Sequence, residues 1–177
     1  MRKGMEGLLT ALCLTLLLAS GASRAETMRL YGALVAEPCT LAPGDENIVL
    51  DFGTVLEKYL YQNQRTHSKA FRLHLTGCDV RIGSGVTLTF SGTPSGALPG
   101  YLALDGGSQA GGIAIGIETP EGKALPFNET SAVYPLTTGD NVLTLQAYVQ
   151  GEPDALNNQR IRRGNFSAVA TFHLAYP

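Results

Sequence analysis

The residues able to do covalent or metal chemistry are few, and their spacing points to structure rather than catalysis. The three cysteines are Cys13, Cys39 and Cys78. Cys13 sits inside the apolar run Leu8–Ala19, with Leu12 before it where a lipid-attachment site would need a small residue. Cys39 and Cys78 have no other cysteine or histidine at metal-ligand spacing. In an oxidising compartment two such thiols pair as one structural disulfide. Among the histidines, His74 and His173 fall on the outward phase of strand-like runs, and His67 lies in the polar stretch Gln62–Lys69. All three read as solvated, and nothing resembles a nucleophile elbow or a zinc-hydrolase helix. The stretch Gly106–Gly112 has the glycines of a phosphate loop but lacks the Gly-Lys-Ser/Thr ending, so it reads as a flexible connection. Asp45, Glu46 and Asp51 lack the spacing of a calcium loop and read as a surface turn. Arg160, Arg162 and Arg163 read as a solvated turn. The sequence therefore predicts no enzyme, no cofactor and no metal site.

Residues 1–25 have the build of a secretory signal. Arg2 and Lys3 precede the apolar run, and Ser23-Arg24-Ala25 offers small residues at the cleavage positions. Removal of this segment leaves 152 residues, 10 basic and 14 acidic, with a net charge of −4. That balance argues against nucleic acid as a partner, since phosphate binding needs a basic surface. No later run is long enough to anchor the chain in a membrane.

The remainder alternates with period two between turn signals. Ile48–Phe52, Phe71–Leu75, Val86–Phe90, Ile113–Ile117 and Leu143–Val149 each read as half-buried strands, with a short run at Tyr101–Leu104. The helix candidates, Val55–Tyr61 and Asp154–Asn158, are too short to shape the architecture. The pattern predicts an all-β fold, a two-sheet antiparallel sandwich of immunoglobulin type, with a jelly roll as the nearest alternative.

Both ends are unusual. Phe166, Ala168, Ala170, Phe172, Leu174 and Tyr176 share one face of a strand that runs to the last residue, Pro177. An apolar edge so placed must be covered, and a second polypeptide is the expected cover. At the other end, Leu30, Gly32, Leu34 and Ala36 share one phase just before Cys39. This run is either the first strand of the sandwich or an arm that completes another molecule's sheet.

These features together resemble the pilins of chaperone–usher fimbriae, the type 1 and P pilus subunits. The resemblance spans essentially all of residues 26–177. Its motif is Gly164, fourteenth from the end, followed by alternating apolar residues and the penultimate Tyr176. Cys39 and Cys78 match the family's single disulfide, and Gly32 matches the glycine of its donor strand. Ala97–Gly100, Ala147–Val149 and Glu152–Leu156 resemble minor tip pilins of P pili.

The resemblance implies an incomplete immunoglobulin-like sandwich, a pilin fold lacking its last strand. A periplasmic pilus chaperone would lend a strand, with its basic residues holding the Pro177 carboxylate. At the outer-membrane usher, a neighbouring pilin subunit's arm would replace that strand. It further implies an acceptor groove along Gly164, Phe166, Ala168, Ala170, Phe172, Leu174, Tyr176 and Pro177, and a donor strand at Leu30, Gly32, Leu34 and Ala36. The expected divisions are a signal peptide at 1–25, a donor extension at 26–38 and a pilin domain at 39–177. The implied role is a minor adaptor or tip-fibre subunit of a cell-surface fimbrium that supports adhesion. Only Glu26, Thr27 and Met28 precede Arg29, and this short arm fits that role. A pilus-terminating subunit and a secreted carbohydrate-binding adhesin domain are the alternatives.

Overall fold

The computed structural model describes residues 28–32, 34 and 36–177. The expected signal segment, and Ala33 and Val35 of the arm, lie outside the described residues. The chain divides into two units, Met1–Val35 and Ala36–Pro177. In the first, Met28–Gly32 and Leu34 carry no regular secondary structure, and their side chains are exposed.

The second unit is built from antiparallel strands, because its runs alternate apolar and polar residues between glycine- and proline-rich turns. One sheet has the order β1 (Thr40–Leu41), β2 (Lys69–Cys78), β6 (Gly139–Gly151), β4 (Ile113–Glu118). The other has the order β5 (Tyr134–Pro135), β3 (Gly85–Ser91), β7 (Thr171–Ala175). Phe71 lies opposite Leu145 and Leu73 opposite Leu143 in the first sheet, while Leu88 lies opposite Leu174 and Phe90 opposite Phe172 in the second. Leu73, Leu75, Leu145, Val149 and Val86 are sealed from solvent. Phe90 joins the sheets through edge-on contacts with Phe71 and Phe127, with ring centroids 6.2 and 6.3 Å apart.

The disulfide between Cys39 and Cys78 forms as expected and joins the segment before β1 to the end of β2. Beside it the Asp79 amide donates to the Pro38 carbonyl at 2.8 Å.

The structure corrects several expectations. Ile48–Phe52 joins no sheet, although Ile48, Leu50 and Phe52 stay half-buried while Val49 and Asp51 face solvent. Of Tyr101–Leu104 only Leu102 bridges, to Pro94 and Ile115. β4 is buried on both faces rather than one. Its second face is covered because Gly116 leaves room for the rings of Tyr148 and Tyr101, which a Cβ would meet at 2.5 and 2.8 Å. The glycine-rich connection is pinned rather than loose: Asp105 N–H donates to Ser167 O, and Gln109 and Ala110 N–H both donate to Asn165 O. His74 is exposed on the outward phase as expected, with its backbone N–H and Nδ1 at 2.5 and 2.9 Å from one oxygen of Asp45. His67 is likewise exposed, with Nε2 2.8 Å from the Tyr59 hydroxyl. The helices α1 (Glu57–Asn63) and α2 (Pro153–Asn157) are short, yet α1 inserts Leu60 into the core and so does shape the fold.

A polar clamp fixes the outer face of the first sheet. Arg65 makes a two-pronged bond to Glu118 at 2.7 and 2.9 Å, and Ser68 donates to the same carboxylate at 2.5 Å. The guanidinium lies 3.5 Å over the Tyr148 ring, and the Tyr148 hydroxyl meets that of Tyr101 at 3.0 Å. Glu118 is almost fully buried, and the Arg65 guanidinium holds its carboxyl below the usual glutamate range against the opposing effect of burial.

Two outcomes follow. Cys39→Ser should lower stability by about 3–4 kcal/mol through the freed loop, read as loss of the chain to periplasmic proteolysis; unchanged accumulation would count against a structural bridge. Glu118→Gln should lower neutral-pH stability by about 1–3 kcal/mol, less than for a fully buried pair because Arg65 keeps some solvent contact. Because the folded-state value of Glu118 is depressed, its contribution is present above pH ~4.3 and fades as pH falls further. The variant should therefore have a flatter acid limb in urea titrations below that pH, and parallel curves would refute the linkage.

Candidate functional site

The last fourteen residues, Gly164–Pro177, define the site. Along them Phe166, Ala168, Phe172, Leu174 and Tyr176 are half-buried, and the intervening residues are exposed. Ala170 shares the phase but is exposed. The inner edge of this segment is engaged at both ends. Residues 165–167 bond to the 105–110 connection, and β7 pairs with β3 from Thr171 opposite Ser91 to Ala175 opposite Thr87. The outer edge of β7 has no neighbouring strand among the described residues.

A second apolar row also lacks ladder partners. Ile48, Leu50, Phe52 and Val55 pack against the core, yet residues 46–55 make no backbone-to-backbone hydrogen bond among the described residues. Phe52 and Phe166 approach to 6.3 Å between ring centroids at one end. Ile48–Phe52 alternates like a strand but has no ladder partner among the described residues. Both apolar rows are left half-buried.

Beside Phe166 lies an open cavity of about 580 Å³, lined by Val55, Leu60, Ala110, Ile113, Ile161 and Phe166. Its rim is charged. Glu57, at the start of α1, pairs with Arg163 through two bonds, Arg163 Nε to Oε2 at 2.6 Å and Nη2 to Oε1. Arg163 holds the Glu57 carboxyl below its usual range. Arg162 donates to the carbonyls of Gln109 and Ala110 at 2.6 and 3.2 Å. Lys58 is exposed at the rim. Arg162 and Arg163 are exposed, as expected of a solvated turn, and these bonds tether them at the rim.

Gly164 sits where the chain leaves this rim. Its φ is +142°, and a Cβ would overlap Gln109 Cβ and meet the Gln109 carbonyl carbon at 3.0 Å. Only glycine allows this approach, which brings the segment against the 105–110 connection. At the far end Tyr176 and Pro38 both lie against Gly83, whose Cβ would meet them at 3.8 and 2.7 Å. Burial raises the Tyr176 hydroxyl, and Glu37 adds to the effect. Chain exit and the end of the arm therefore share one end of the sandwich, and the cavity lies at the other. Of the arm's expected residues, Leu30, Gly32, Leu34 and Ala36 are all exposed.

The alternating face of the last segment was legible in the sequence, but the cavity walls contributed by Val55, Leu60, Ala110, Ile113 and Ile161 were not. The helix expected at Val55–Tyr61 is found as α1, but nothing in its local sequence shows that Val55 and Leu60 line a cavity with Ala110, Ile113 and Ile161. The cavity has apolar walls under a charged rim, and its described lining residues include no cysteine, serine or histidine.

The sequence model of the family described as "Fimbrial protein" matches residues 28–177. The chain is 34% identical over 152 residues to the fimbrial subunit PmfF of Proteus mirabilis (strain HI4320), covering 84% of this chain and 83% of that protein. It is 32% identical over 172 residues to the fimbrial adapter PapK of Escherichia coli, covering 94% and 96% of the two chains. Among solved structures, the P pilus rod subunit PapA superposes with a TM-score of 0.68 at 25% identity, covering 80% of this chain and all of that one. The fold is accordingly the incomplete immunoglobulin-like sandwich of pilus subunits. The chain belongs to the fimbrial protein family, as a structural subunit of a chaperone–usher surface pilus.

Gly164→Ala should cost about 1–3 kcal/mol from strained backbone and the clash with Gln109. The readout is the urea midpoint, and an unchanged midpoint would mean that Gly164 is not needed for docking the last segment.

Proposed function

We propose that this subunit polymerises by strand addition and serves as a minor, adaptor-type link in the fibre. The observation that carries the strand-acceptor reading is the unpaired outer edge of β7, together with the ladderless row Ile48, Leu50 and Phe52, which meets the last segment at Phe52–Phe166. In this reading a periplasmic chaperone first occupies the groove, and the subunit passes through the periplasm to an outer-membrane usher. There the arm of the next subunit replaces the chaperone's strand. The arm of this chain, with Leu30, Gly32, Leu34 and Ala36 facing inward, does the same for its own neighbour. Each fully buried leucine contributes about 1.5–3 kcal/mol, and each ladder bond adds about 0.5–1.5 kcal/mol.

The open cavity supports an accepting subunit over a terminating one, because a terminator needs a groove that resists a new strand. The adaptor role is supported by the likeness to PapK along nearly the whole chain and by the short arm.

Residues 26–177, expressed in the periplasm with a cognate pilus chaperone, should give a soluble one-to-one complex, and without it should aggregate or be degraded. A stable monodisperse monomer without any partner would overturn the reading. Gly32→Leu should leave chaperone binding intact while blocking insertion of this subunit into its neighbour; loss of both together would place Gly32 in the core instead.

A further inference from the structure

The cavity beside Phe166 carries an excess of positive charge at its rim. Lys58, Arg162 and Arg163 line it together with a single carboxylate, Glu57. Glu57 is committed to Arg163, and among the described residues neither Lys58 nor Arg162 pairs with a carboxylate. Further out, Arg160 and Asp154 offset each other at 3.9 Å. The uncompensated cations therefore sit at the mouth of an apolar cavity, where an incoming chain must pass.

Both sheets are antiparallel throughout, and β7 runs from the cavity end at Gly164 toward Tyr176 and Pro177. A strand continuing this pattern on the outer edge of β7 runs the opposite way, so its C-terminal end lies at the cavity. The base of the incoming arm, where it joins its own domain, is then the part that meets the basic rim.

We infer that the rim of Lys58, Arg162 and Arg163 selects the incoming subunit: the groove takes an extended arm that carries an acidic residue at its base, just beyond its last buried apolar side chain. This rests on the strand-acceptor reading above and adds the chemistry of the partner to it. The arm of this chain has that pattern. Its only acidic residue after Met28 is Glu37, one position past the inward-phase Ala36, and its only basic residue is Arg29. Arg29 and Glu37 are about 27 Å apart in an extended chain. Antiparallel insertion places Glu37 at the basic rim, whereas parallel insertion would bring Arg29 there. Charge thus reinforces the direction that the sheet already prefers, and it acts mainly on the rate of capture.

The test uses the full chain held by its periplasmic chaperone, and three fluorescent peptides spanning residues 27–38: the natural sequence, the Glu37→Gln variant and the Glu37→Lys variant. Insertion is followed by chaperone release. The natural peptide should insert about tenfold faster than the Glu37→Lys peptide at low salt, with Glu37→Gln between them, and the gap should close as salt rises. Lys58→Glu in the acceptor should narrow or invert the order while leaving the Glu37→Gln peptide little changed. Equal rates for all three peptides at every salt concentration would overturn the inference and leave the strand-acceptor reading intact. Failure of every peptide to insert would bring down the strand-acceptor reading, and this inference with it.

Discussion

One unpaired strand edge governs this molecule. A β-strand presents a donor and an acceptor at alternate positions along each side, and these groups need partners once water is excluded. Among the described residues β7 has strand partners on the β3 side only. The apolar face of the last segment is in consequence only half covered, and so is the second row at Ile48, Leu50 and Phe52. The site is thus a missing element of the fold rather than a pocket placed upon it.

The rest of the structure keeps that gap open and shaped. The Cys39–Cys78 bridge holds the beginning of the sandwich to the end of β2, at the end where the arm departs. The clamp of Arg65, Glu118 and Tyr148 ties the linker before β2 to β4 across β6. The 105–110 connection takes the place of a strand along the first part of the last segment, which lets that segment extend beyond β3 toward the cavity. The helix α1 is short, but Leu60 and the Glu57–Arg163 pair make it one wall of the cavity. A sandwich lacking a strand would otherwise relax by closing the two rows on each other.

Much of this was legible in the sequence because period-two alternation is a direct signal of a half-buried strand. β2, β3, β4 and β6 all appear at the alternating runs, and in the last segment Phe166, Ala168, Phe172, Leu174 and Tyr176 are half-buried on one face while Ala170 is exposed. Where the sequence misled, tertiary context decided. Ile48–Phe52 has the alternation of a strand but no partner among the described residues to bond with. Periodicity reports which side chains are buried, not whether a ladder forms. The double burial of β4 depends on Gly116 admitting two tyrosine rings from elsewhere in the chain, and the cavity depends on residues as far apart as Val55, Ala110 and Ile161. Such meetings have no local signature.

The central claim is that the domain lacks one strand and can accept it only along the outer edge of β7. Because β7 ends beside Gly83 at the end opposite the cavity, a strand appended after Pro177 through a short turn would return antiparallel along that edge. The most direct measurement is the thermal unfolding midpoint of the chain extended in this way with its own sequence 28–36. The control extension replaces Leu30, Leu34 and Ala36 with serine. The account predicts a large rise in midpoint for the apolar extension, soluble expression without any chaperone, and no such gain for the serine control. Equal midpoints for the two extensions would contradict it, since they would mean that the groove does not read an apolar strand.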